Sequence, residues 1–94
     1  MDDRDSALIE RHIEDDPYRP GPGDVRLVDS GVSVWAVIGH LPSVGGDIAQ
    51  AAADYELSPE AMAAAIAYYR RNGPAIDARL AANAGGRTVE PVAV

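Results

Sequence analysis

The stretch "ELSPEAMAAAIAYYRRN", residues 56–72, decides how this chain is read. Ser58-Pro59 is a strong helix start: the serine side chain satisfies an orphan backbone N–H, and proline at the first helical position gives up no hydrogen bond. Met62, Ala65, Ile66 and Tyr69 then recur at one-face helical spacing as far as Asn72, where Gly73 suits a stop. Upstream, Asp47 is an N-cap candidate for a helix carrying Ile48, Ala51, Ala52 and Tyr55 as its apolar stripe. Glu56-Leu57 joins the two, with Leu57 expected to plug the core. The pair therefore has the length and pattern of a helix-turn-helix, and a structural αα-corner without DNA contact fits the same pattern equally.

Working outward on the N-terminal side, "VWAVIGHL" places Val34, Val37, Ile38 and Leu41 on one helical face ahead of Pro42, with Trp35 sealing its edge. Before it, Asp29-Ser30-Gly31 suits a tight turn, and the β-branched residues on either side predict a two-stranded ribbon, Val25–Val28 with Val32–Val34. On the C-terminal side, Pro74 starts a further helix in which Ile76 and Leu80 lie one turn apart and Asp77 sits in the first turn. The sequence divides into an acidic N-terminal arm with a short helix and a Pro/Gly linker (residues 1–23), a ribbon plus helix-turn-helix core (24–84) and a flexible C-terminal tail (85–94). The expected fold is mainly α: a small helix-turn-helix bundle with a short N-terminal β-ribbon.

Composition narrows the function classes. A domain of 94 residues buries roughly 60–65% of the surface of its unfolded chain, so its stability is marginal. Without cysteine, neither disulfides nor thiolate metal sites add to it, which leaves helix packing or self-association. The net charge of −7, with eight arginines and no lysine, opposes non-specific nucleic-acid binding driven by counterion release. No apolar run reaches the ~18–20 residues that span a bilayer, so a soluble cytoplasmic protein without membrane contact is expected.

Chemistry-bearing constellations are sparse. His12 and His40 lie in different segments without metal-ligand spacing, and no GxxxxGK[ST] phosphate loop is present. The acids of the arm are solvated rather than fixed in a pocket. No catalytic set, metal or cofactor is expected.

The order of "VDSGVSVW", a helix, "DIAQAAADYELSPEAMAAAIAYYRRN" and "IDARLAAN" resembles the domain-of-unknown-function family 433 over about residues 24 to 83. Val32, Val34 and Trp35 stand where that family has its "GTRIPVW"-like strand. Asp54-Tyr55 and Leu57-Ser58-Pro59-Glu60 stand at its "DYP-LT-E" turn, and Ala64, Ala65, Ala67 and Tyr68-Tyr69 at its "AALAYA" segment. Asp29, Ser30, Gly31 and Ser33 replace the family's Gly, Thr, Arg and Pro, so any role of its arginine does not carry over. The resemblance implies a homeodomain-like helical core and an antitoxin-like, non-catalytic role beside a PIN-like nuclease toxin.

From these readings follow three sets of expected contacts. A homodimer would use Val32, Val34, Trp35, Ala64 and Tyr68, since alanines allow close helix approach. Operator DNA would be met by Arg26, Arg70, Arg71 and Asn72 on phosphates, because the first turns of the second helix offer only Glu60, Ala61, Ala63 and Ala64 for base readout. The PIN-like toxin would be bound by the tail through Arg87, Val89 and Val92. The alternative is a stand-alone structural or protein-interaction module that binds no DNA.

Overall fold

A computed structural model describes residues 3–85. The chain is mainly helical with one small antiparallel sheet: α1 (Asp3–His12), β1 (Ile13–Glu14), β2 (Arg26–Leu27), α2 (Val34–His40), a 3-10 turn (Leu41–Val44), α3 (Ile48–Asp54) and α4 (Pro59–Asn83).

The local signals act as their chemistry dictates. Asp47 caps α3 by accepting from Gln50 N at 3.1 Å, and Ser58 caps α4 by accepting from Ala61 N at 3.1 Å. Each cap contributes about 1 kcal/mol. The stripe of α2 is fully inside: Val34, Val37 and Ile38 are 0% exposed and Leu41 is 1% exposed. These residues pack with Leu27, Met62 and Ile76 to form the centre of one core. In α3, Ala51 and Ala52 are buried and Tyr55 packs on the core, but Ile48 is 43% exposed. It stands at the first position of a helix of only seven residues.

The ribbon differs from the sequence expectation in its partner. β2 pairs with β1, in the register Ile13↔Leu27 and Glu14↔Arg26, and a Glu14–Arg26 ion pair lies across it. The expected partner, Val32–Val34, runs along the other edge of β2: Leu27 N donates to Val32 O and Val34 N to Val25 O, with Gly31 at φ +72° closing the turn. That segment cannot extend as a strand because α2 already begins at Val34. Both edges of β2 are thus hydrogen-bonded, which hides an otherwise unpaired strand.

The expected break after Asn72 is a bend within α4. Pro74 has no N–H for the Arg70 carbonyl and its ring crowds that turn, so Asn72 takes non-helical angles (φ −126°, ψ 31°). Two side chains stabilise the bend. The Asn72 amide donates to the Tyr68 carbonyl at 3.2 Å, and the Tyr69 hydroxyl reaches across to Asp77 at 2.7 Å.

The N-terminal segment expected as an arm contributes α1, which runs antiparallel along α4. Arg71 donates to Ser6 Oγ at 3.0 Å, while a groove that Arg4, Ala7 and Leu8 also line joins Arg11 and His12, at the C-terminal end of α1, to Glu60 at the start of α4. Glu60, Ala64, Ala67 and Arg71 recur at helical spacing, so the alanine face of α4 lies beneath α1. Among the described residues, no helix is long and apolar enough to cross a membrane.

Candidate functional site

Three of the four residues expected on DNA phosphates serve the fold. Arg26 is paired with Glu14 on the sheet, Arg71 holds α1, and Asn72 holds the bend of α4. Arg70 is exposed beside that bend.

The residues expected at a dimer interface lie largely inside the single chain. Val34 and Ala64 are 0% exposed, Tyr68 is 7% exposed with its hydroxyl donating to the Pro22 carbonyl, and Val32 packs against the core. Burial pushes the Tyr68 phenol up, and the charge of Asp15 adds to the shift. Trp35 is half-buried, and the Arg79 guanidinium carbon lies 4.5 Å from its ring centroid. An apolar residue already removed from water by its own chain has no surface left to bury against a second copy, which corrects the sequence expectation for Val34, Ala64 and Tyr68. Arg87, Val89 and Val92, expected to bind a toxin, lie outside the described residues.

The α3–α4 turn and the segments beside it are rich in carboxylates. From Leu27 to Tyr69 the chain carries no arginine or lysine, whereas Asp29, Asp47, Asp54, Glu56 and Glu60 all fall within it. All five are exposed. Asp47 and the exposed Ile48 stand at the start of α3, while at its opposite end Asp54, Glu56 and Glu60 flank the α3–α4 turn and Asp29 shares a recess with Glu56. This is where a DNA-reading pair would meet a groove, and a carboxylate there is repelled by phosphate.

At one edge of this surface the ends of α2 and α3 are tied by side chains. His40 Nε2 lies 2.7 Å from Asp54 Oδ2, Gln50 Nε2 donates to Asp54 Oδ1 at 2.7 Å, and Tyr55 meets the imidazole edge-on at 5.4 Å between centroids. The hydrogen bond from His40, then that from Gln50, holds the Asp54 carboxyl below its ordinary value. Both carboxylate oxygens are engaged, and the imidazole sits at the negative end of α2. The arrangement fastens two helix ends. The i, i+4 spacing of Gln50 and Asp54 was a signal for half of it; the approach of His40 had none.

Among the described residues, no three His, Asp or Glu side chains converge to hold a metal ion. Comparison with protein-family models, with curated proteins and with solved structures gives no match for this chain.

Proposed function

We propose that this chain is a non-catalytic, antitoxin-like protein-interaction module whose α3–α4 face docks on a basic partner protein, with a PIN-like nuclease as the expected partner class. The observation that carries the reading is the run of exposed carboxylates along α3 and its turn into α4, Asp47, Asp54, Glu56 and Glu60, joined at the turn by Asp29 and accompanied by the exposed Ile48, in a stretch from Leu27 to Tyr69 that has no arginine or lysine, with Arg4 and Arg11 of α1 on the Glu60 side. Such a surface is complementary to a cationic protein face, where matched potentials speed encounter and fix orientation. It opposes the polyanionic backbone of DNA, so operator binding is the weaker part of the antitoxin reading.

The test is co-expression with the protein encoded by the adjacent reading frame, followed by purification at low and high salt. A stoichiometric complex that loosens as salt rises is expected, together with no shift of duplex DNA from the upstream region. A salt-sensitive DNA complex, with no protein partner retained, would overturn the proposal.

A further inference from the structure

Beneath the α3–α4 turn lies a recess of about 220 Å³ whose walls include Leu27, Leu57 and Ala61 and whose rim carries Asp29, Glu56 and Ser58. We infer that this recess receives a single arginine side chain of the partner; the inference rests on the reading of the α3–α4 face as a protein-docking surface. The volume falls below the ~300–1,000 Å³ of pockets that enclose small-molecule ligands, and it suits one long side chain. The walls match the aliphatic stem of such a residue, and the two carboxylates match its charged end.

The carboxylates are available for this. Glu14, Asp24, Asp54 and Asp77 are each tied to a side chain of the fold. Asp29 and Glu56 are exposed and make no side-chain hydrogen bond or ion pair among the described residues. They come from separate parts of the chain, the β2–α2 turn and the α3–α4 turn, and meet only because the fold brings these turns to one recess. A planar guanidinium presents several N–H donors at fixed angles and pairs with carboxylates more specifically than a lysine ammonium does. The Ser58 hydroxyl already accepts from Ala61 N, so it adds a polar edge without adding charge. Among the described residues, His12 is the one basic side chain lining the recess.

Glu56 also provides a way to separate binding from folding. It holds φ at +56°, a left-handed conformation in which glycine is the unstrained residue. A substitution to glycine relaxes the backbone and removes the carboxylate together.

The experiment is a titration of the isotope-labelled protein with N-acetyl-arginine amide, followed by amide chemical shifts, with N-acetyl-norleucine amide as an uncharged comparator. Saturable shifts at Leu27–Ser30 and Glu56–Ala61 are expected with the arginine compound alone. Glu56→Gln and Asp29→Asn each weaken the affinity by about fivefold or more. Glu56→Gly weakens it likewise while melting no lower than the parent. Equal shifts with the norleucine compound, shifts scattered over acids far from the recess, or unchanged affinity in Glu56→Gln would overturn the inference. The same variants are then tested on the co-purified complex. A partner bound equally well by Glu56→Gln and Asp29→Asn refutes the recess and leaves the proposed function standing. Specific arginine binding with no protein partner refutes the proposed function and leaves the recess standing.

Discussion

The Arg79 guanidinium lies against the Trp35 ring, 4.5 Å from its centroid, while its Nε donates to the Asp24 carboxylate at 2.8 Å. One side chain thereby joins the second half of α4 to the first turn of α2 and to the loop that precedes β2. Arg79 and Asp24 are only 18% and 24% exposed, so the contact is shielded beyond what surface ion pairs usually are. Arg79→Ala is expected to lower stability by about 1.5–3 kcal/mol. Chemical denaturation followed by the fluorescence of Trp35, the sole tryptophan, reads both the loss and the altered ring environment.

The alanine face of α4 gives a second test. Ala64 is fully buried on the side that α1 covers. Ala64→Leu is expected to force α1 outward and to cost about 1–3 kcal/mol in urea unfolding. A face reserved for another subunit would accept the leucine with little change in the stability of the isolated chain.

Gly23 gives a third. A Cβ there would stand 2.9 Å from the carbonyl oxygen of Ala75, a backbone atom of α4 that cannot rotate away. Gly23→Ala is expected to destabilise by about 1–3 kcal/mol, read by thermal melting. Gly39→Ala is the comparison: its nearest neighbour, at 2.6 Å, is a terminal methyl of Leu80, which can turn aside, so the loss should be smaller.

The fastening of α2 to α3 carries a pH dependence. Because the folded state depresses the Asp54 pKa, the stabilisation from its carboxylate is present above the unfolded value near pH 4. It is lost as pH falls through the lower folded-state value. The advantage of the parent over Asp54→Asn should therefore be fully present at pH 5 and shrink as the solution is acidified below pH 4. Paired melting curves check it, and an advantage that persists unchanged at low pH would exclude the assigned cause.

What was legible in the sequence is what neighbouring residues decide. Ser58-Pro59 and Asp47 start their helices by bonds to residues three positions away, and Val34, Val37, Ile38 and Leu41 form one stripe by period alone. The partner of β2 was not legible, because Ile13–Glu14 lies across a Pro/Gly-rich loop whose closure no local pattern encodes. Burial of Val34, Ala64 and Tyr68 within one chain was missed for a related reason. An apolar face states that it must be covered, not by what; here α1 covers Ala64, the linker meets Tyr68, and Val34 lies in the central core. For the candidate site, the absence of arginine and lysine between Leu27 and Tyr69 could be read directly. The recess could not, since Asp29 and Glu56 meet only through tertiary structure and Glu56 adopts a conformation that its residue type does not signal.

The antiparallel seat of α1 on α4 also orders events in time. Ser6 leaves the ribosome 65 residues before the Arg71 that holds it, an interval of roughly 3–13 s at ordinary elongation rates. A ten-residue helix is too short to persist alone in water, so α1 spends that interval without lasting shape while α2 and α3 emerge. A segment made well before the helix it rests on is therefore among the last to settle, and until it does the alanine side of α4 stands open to whatever else is nearby.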